Sequence, residues 1–455
     1  MYDLRGEAMK MSRNINITVI ILTVTMFLWG GFSFAESVTV EVGADSPVVS
    51  TGKTHQVTAR VLLKPSGYAT ERAPLAVALV IDKSGSMSAD DKMENAKRGA
   101  IEALKFLGAK DIAAVIAYDT EAFVVTGAGA VNETAHFVRG ISSLKAGGNT
   151  ALYDGVTMGA GEIERFLESG YVPRIILLSD GLANVGPSSV RELASLGRAL
   201  SRRGITVTTI GLGLDYDEDL MTTLASVSGG NSYFARTKDR LEDIFRRDME
   251  DAVAITGRGV RVTLLCEDGV RPIRSVGREG IRNANEIVVD IDNLYGMEKY
   301  AIFELEIPIS EAEGAIRAAS VKVEYMDAVT GSAITLKSHL DIEYSANEDY
   351  ARAQRDSEIT SQAEIARNAE ILEQAVKLSD SGRAAEASAI LREQAQYLAK
   401  PEYADDERMQ EEIAYLNSLA ADISNEGEMS NEQRKTSVNR VYMVTNQQSD
   451  VSSYD

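Results

Sequence analysis

The run Val77-Ala-Leu-Val-Ile-Asp82-Lys-Ser84-Gly-Ser86-Met87 constrains this chain more than any other stretch. Apolar residues without polar alternation, stopping at an aspartate, read as a strand buried on both faces, as in a parallel sheet flanked by helices. The polar cluster then lies at the strand's carboxyl end, where ligands bind in open α/β sheets. Asp82, Ser84 and Ser86 offer one carboxylate and two hydroxyls with no nitrogen or sulfur, a donor set for a hard cation such as magnesium. The same residues are also good N-cap chemistry for a following helix, so the triplet alone leaves two readings open.

The surrounding sequence supports a sheet. Met93, Ala96, Ala100, Leu104 and Leu107 follow helical spacing, residues 112–118 read as a second buried strand, and residues 123–126 as a short edge strand. A helix is expected over 151–167. Arg174-Ile-Ile-Leu-Leu-Ser-Asp180 then repeats the device of an apolar strand ending in an aspartate. A strand over 205–212, a helix over 220–227, a short strand at Tyr233-Phe234 and a closing helix over 241–253 complete the alternation.

On either side the period changes to two. Val38, Val40 and Val42 alternate with polar residues, as do Val57, Ala59 and Val61; Val260, Val262 and Leu264 do the same further on, with Phe303, Leu305 and Ile307. Two early strands with one apolar face cannot stand alone. We therefore expect an α/β unit, with a doubly wound and mostly parallel sheet, inserted in one antiparallel β domain. The expected divisions are N-terminal β strands at 36–73, the α/β domain at 74–255, a β-sandwich-like domain at 256–346, a helical hairpin or small bundle at 347–425 and a flexible Asn/Ser/Gln-rich tail at 426–455. The helical stripes are Ile365, Ala369, Leu372 and Val376; then Ala384, Ala387, Leu391 and Leu398; then Met409, Ile413, Leu416, Ala420 and Ile423.

Residues 1–35 read as a signal peptide or signal anchor. Lys10 and Arg13 precede an apolar run from Ile17, and Ser33-Phe34-Ala35 is a small-x-small cleavage pattern. The expected location is periplasmic, cell-surface or secreted, with membrane contact only through an uncleaved anchor. The single cysteine, Cys266, excludes an intrachain disulfide and sits beside Leu264 and Leu265 as a buried strand thiol. His55, His136 and His339 form no zinc-like spacing. With 68 acidic against 47 basic residues and a net charge of -21, nucleic acid and anionic membranes are disfavoured as partners.

A second polar loop, Gly147-Gly148-Asn149-Thr150, precedes a helix, and a third is Ser179-Asp180-Gly181. The alternation puts both at the edge that carries Asp82. In this order, Asp82-x-Ser84-x-Ser86, Thr150 and Asp180-Gly181 resemble the von Willebrand factor type A (VWA) domain and its metal-ion-dependent adhesion site, over roughly 74–254. The resemblance implies a Rossmann-like sheet binding Mg2+, or Mn2+ or Ca2+, with Ser84, Ser86 and Thr150 ligating through hydroxyls and Asp82 and Asp180 acting directly or through water. The overall arrangement is similar to bacterial exported members of that family. Neutral hydroxyls coordinate a dication without cancelling its charge, so a Glu or Asp of a partner protein is expected to displace one water and complete the shell.

No catalytic residue or organic cofactor site is expected. Ser84 stands two places after Asp82, where a phosphoryl-transfer enzyme would carry a second carboxylate, and no histidine is paired with either. A metal-dependent hydrolase and a structural component merely stabilised by its metal are the alternatives.

Overall fold

The computed structural model describes residues 37–65, 73–132, 134–167, 170–236, 238–267 and 269–447. The expected signal at 1–35 lies outside the described residues, as does 448–455. Three strands come first: β1 (Val38–Ala44), β2 (Val48–Ser50) and β3 (His55–Pro65). The α/β region follows with β4 (Leu75–Asp82), α1 (Lys92–Lys105), β5 (Ile112–Tyr118), β6 (Ala122–Ala130), α2 (Ala135–Ser142) and α3 (Leu152–Glu164). It continues with β7 (Val172–Ser179), α4 (Val190–Ser201), β8 (Thr206–Leu212), α5 (Glu218–Ser228), β9 (Ser232–Ala235) and α6 (Lys238–Val253).

The six strands line up as β6-β5-β4-β7-β8-β9. All neighbours are parallel except β6, which runs antiparallel to β5 at the edge. Every residue of β4, β5, β7 and β8 is buried, because helices cover both faces. The pleat divides β4 between two cores. Leu75, Val77, Leu79 and Ile81 pack with Met93, Leu104, Leu241 and Phe245 of α1 and α6. Ala76, Ala78 and Val80 pack with Leu152, Val156, Leu193 and Leu224 of α3, α4 and α5. Small residues let α3 approach closely. A Cβ on Gly155 would lie 2.7 Å from the Tyr118 ring, and one on Gly159 would lie 2.7 Å from Val80.

Beyond α6 come β10 (Gly257–Cys266), β11 (Arg271–Val276), β12 (Ile281–Arg282), β13 (Glu286–Leu294), β14 (Lys299–Ile307), β15 (Gly314–Asp327) and β16 (Ala333–Ser345). They form two sheets, β1-β3-β14-β11 and β12-β13-β10-β15-β16-β2. Strand β3 thus pairs with β1 on one side and, across some 240 residues, with β14 on the other, with Val57 opposite Leu305 and Leu63 opposite Lys299, while β2 runs parallel to β16. The apolar face of β3, Val57, Ala59, Val61 and Leu63, shares one core with Val262, Leu264, Val289, Phe303 and Val323. The α/β unit is therefore an insertion in an antiparallel β domain, as the alternation pattern predicts. Cys266 is a buried thiol in this core, and burial pushes its pKa up to about 12.

The chain closes with α7 (Glu348–Ala353), α8 (Ser357–Asp380), α9 (Ala384–Leu398), α10 (Glu407–Glu426) and α11 (Asn431–Tyr442). Asp356, Asp406 and Ser430 cap α8, α10 and α11 with side-chain oxygens on backbone N–H groups. Helix α11 corrects the expectation of a flexible tail from 426 onward. Its start carries a capping box between Ser430 and Gln433. Its Lys435 is buried and donates from Nζ to the Tyr216 carbonyl at 2.5 Å, and its Tyr442 hydroxyl donates to the Gly230 carbonyl at 2.8 Å. Polar composition reads as a solvated tail; here Lys435 and Tyr442 find their partners on the α/β unit and Arg434 and Arg440 also pair with α8 and α10. Among the described residues no helix is long and apolar enough to cross a membrane.

Candidate metal centre

Asp82 ends β4 with its side chain fully buried, and its two oxygens hold two different loops. Oδ1 accepts the backbone N–H of Ser84 at 2.8 Å, which curls the chain immediately after the strand. Oδ2 accepts the Ser179 hydroxyl at 2.8 Å, tying β4 to the end of its neighbour β7. Ser84 Oγ lies 3.0 Å from Ser86 Oγ, and Ser86 Oγ donates to Asp180 Oδ1 at 2.6 Å. The loop before α3 is stitched to the same place by backbone bonds. Gly85 N–H donates to the Gly148 carbonyl at 3.0 Å and Gly147 N–H to the Lys83 carbonyl at 2.7 Å. Gly148 adopts φ +86°, and a Cβ there would meet Asp119 Cβ at 2.9 Å, so the close approach of this loop to the one after β5 requires glycine.

Thr150 is set by Asn184. The Thr150 N–H donates to Asn184 Oδ1 at 2.8 Å, and the Asn184 N–H returns to the Thr150 carbonyl at 3.1 Å. The helix-capping alternative fails on these contacts. The short 3-10 turn Gly85–Ser88, α1 and α3 all begin without a side-chain cap bond, and the residue at the N-cap of α3 is Ala151.

Gly181 reveals what the three hydroxyls share. The point where its Cβ would stand is 3.1 Å from Ser86 Oγ, 3.7 Å from Thr150 Oγ1 and 4.0 Å from Ser84 Oγ. The gap beside Gly181 is therefore ringed by hydroxyl oxygens, with Asp180 attached through Ser86 and Asp82 behind Ser84. Asp82, Ser84, Thr150 and Asp180 are buried, whereas Ser86, Asn149 and Leu182 are exposed, so the ring opens to solvent on one side. All donors are oxygens, as a hard cation requires. Among the described residues no group of three or more His, Cys, Asp or Glu is placed to hold a metal, so this ring depends on its hydroxyls.

The electrostatics agree. Burial pushes the Asp82 carboxyl up to about 6, against hydrogen bonds from Ser84 and Ser179, and the nearby Asp180 charge adds to the rise. Two buried carboxylates with one neighbouring ammonium leave the cluster short of positive charge. That ammonium is Lys92, whose Nζ donates to Asp180 Oδ2 at 2.8 Å and reaches Asp215 Oδ2 at 3.4 Å. Lys92 and Asn184 are the two residues of the site that the sequence reading passes over. Neither lies in a motif, and each meets its partner only through the fold.

Residues 76–247 match the sequence profile of the von Willebrand factor type A domain. This stretch is a VWA domain. It is 33% identical over 171 residues to uncharacterized protein sll0103 of Synechocystis sp., covering 37% of this chain and 40% of that protein. Uncharacterized protein YfbK of Escherichia coli is 23% identical over 243 residues, covering 52% of this chain and 42% of that protein. The chain thus spans less than half the length of these curated relatives. A solved von Willebrand factor type A structure from Catenulispora acidiphila aligns over 90% of this chain and 96% of its own, with a TM-score of 0.68 at 17% identity. That likeness shows the fold, and it extends past the VWA domain into the β and helical parts. Within the VWA domain, all five expected positions, Asp82, Ser84, Ser86, Thr150 and Asp180, stand at the carboxyl edge of β4 and β7, beside the switch between β5 and β7 on either side of β4.

Proposed function

We propose that this protein is an exported, metal-dependent protein-binding module and not an enzyme. Asp82, Ser84, Ser86, Thr150 and Asp180 would hold Mg2+, or Mn2+ or Ca2+, and a Glu or Asp of a partner protein would approach from the open side. The observation that carries this reading is the gap beside Gly181, ringed by the hydroxyls of Ser84, Ser86 and Thr150 and open past Ser86.

Each residue has a separable task. The hydroxyls supply coordination without cancelling charge, so a bound dication keeps its pull on an incoming carboxylate. Asp82 fixes the Ser84 loop through its N–H and fixes β7 through Ser179, which keeps the hydroxyl ring in one geometry. Asn184 does the same for Thr150. The exposed Leu182, beside Gly181, gives a partner apolar surface next to the charge.

The test is metal binding and partner capture with the full chain. Titration calorimetry should detect Mg2+ or Mn2+ in the wild type and none in Asp82→Ala or Ser84→Ala. Cross-linked partners from an envelope extract should appear with Mg2+, vanish in EDTA and be absent with Asp82→Ala. Capture that persists in EDTA overturns the proposal; a metal-dependent rise in Tm with no metal-dependent partner points to a structural site.

A further inference from the structure

Asp180 divides its two oxygens between two kinds of donor. Oδ1 accepts from Ser86 Oγ, one of the ring hydroxyls, at 2.6 Å, while Oδ2 accepts from Lys92 Nζ at 2.8 Å. Asp180 is fully buried and the Lys92 side chain is 12% exposed, so this pair is screened far less than a surface ion pair. Lys92 also reaches Asp215, whose side chain is 74% exposed, but that contact at 3.4 Å is longer and solvated. The backbone that carries Lys92 is unusual as well. Lys92 opens α1, which is entered through Asp90 and Asp91, both with positive φ, at 52° and 56°. Two consecutive non-glycine residues in the left-handed region are costly, and they persist only where surrounding structure dictates them.

We propose that Lys92 is a positioning and charge-setting residue of the metal centre: it weakens the grip on the dication and strengthens the loaded centre's attraction for a carboxylate. The inference rests on the metal-binding reading above and deepens it. Counting formal charges, Asp82 and Asp180 contribute two negatives and Lys92 one positive. A dication then leaves the centre at +1 with Lys92 and at zero without it. An incoming carboxylate is drawn to the first and not to the second. The same ammonium repels the dication itself, so affinity for metal and affinity for an acidic ligand are traded against each other. Because Lys92 holds the oxygen of Asp180 that Ser86 does not, it acts on the ring through Asp180.

Mn2+ is the probe, read by titration calorimetry and by the relaxation of water protons on the bound ion, with acetate as the carboxylate. Lys92→Met should bind Mn2+ about tenfold more tightly than wild type. Acetate should displace Mn2+-bound water in the wild type at concentrations about tenfold lower than in Lys92→Met. Lys92→Arg, which keeps the charge, should behave as wild type in both. A purely structural lysine would lower Tm in Lys92→Met while leaving the acetate response unchanged, and that result overturns the inference, as does equal or weaker Mn2+ binding by a folded Lys92→Met. Absence of Mn2+ binding by the wild type overturns the metal reading itself together with this inference, so the two failures are distinguishable. If Lys92→Met does not fold, Lys92→Gln with its circular dichroism as a control carries the same comparison.

Discussion

Arg174 Nη1 donates to Asp248 Oδ1 at 2.8 Å, joining the start of β7 to α6 with both side chains almost entirely buried. The pair lies at the end of the sheet opposite the hydroxyl ring. Asp248 Oδ1 also accepts from Thr208 Oγ1 at 2.9 Å and Asn231 Nδ2 at 3.1 Å, and Arg174 Nη2 donates to the Tyr295 hydroxyl at 2.7 Å. Tyr295 belongs to the β domain, so this one guanidinium links the VWA domain to the domain it is inserted in. Removing one partner leaves an uncompensated buried charge. Arg174→Met and Asp248→Leu should each destabilise by about 3–5 kcal/mol in urea unfolding, and the double variant should recover part of that loss.

Beside this cluster, Lys299 stands buried, over the Tyr295 ring at 5.5 Å and donating to the Asn446 carbonyl at 3.1 Å. Burial lowers its pKa from 10.5 to about 7, with the Arg278 charge in the same direction. In the unfolded chain it binds its proton up to a much higher pH. Between those two values the unfolded state holds more protons than the folded state, so stability from this group rises with pH and is lost as pH falls toward 7. Wild type should gain about 2 kcal/mol relative to Lys299→Met between about pH 7 and about pH 9, measured by urea unfolding at each. A parallel pH response in the two proteins would show that Lys299 titrates normally.

Gly181→Ala tests the gap directly. Gly181 is not among the residues with positive φ, so alanine is conformationally acceptable there. Its methyl would stand 3.1 Å from Ser86 Oγ, inside the hydroxyl ring. The expected result is a Tm within a few degrees of wild type without metal and loss of the Mg2+-induced rise in Tm. An undiminished Mg2+ response in Gly181→Ala would place the cation elsewhere.

Lys435 tests the docking of α11. Its ammonium pairs with Glu218 at the start of α5 and lies 4.3 Å over the Tyr216 ring. Arg434, beside it, binds Asp219 at 2.7 Å and Asp380 at 2.8 Å. Lys435→Met leaves Glu218 with Arg434 as its remaining cation, so a loss of about 2–3 kcal/mol is expected, with faster hydrogen exchange confined to α11 and the start of α5.

Much of this architecture was legible because it depends on periodicity. The unbroken apolar runs ending at Asp82 and Asp180 can be satisfied only by helices on both faces of the sheet, and the alternation of Val57, Ala59 and Val61 only by a partner sheet. The oxygen-bearing loops followed from the same reasoning, since parallel strands place their carboxyl ends together. The polar helix α11 was not legible, because the ion pairs that help hold it have partners far off in the sequence, on α5, α8 and α10.

The sequence by itself determined the layer order, the insertion of the VWA domain and which three loops carry the oxygen donors, because local period and strand direction dictate those features. Tertiary structure alone decided the company the donors keep. Lys92 meets Asp180 across 88 residues, Asn184 meets the Thr150 backbone across 34, and Lys435 reaches Tyr216 across 219. Charge pairing and hydrogen bonding act through distance in space, which no local pattern records.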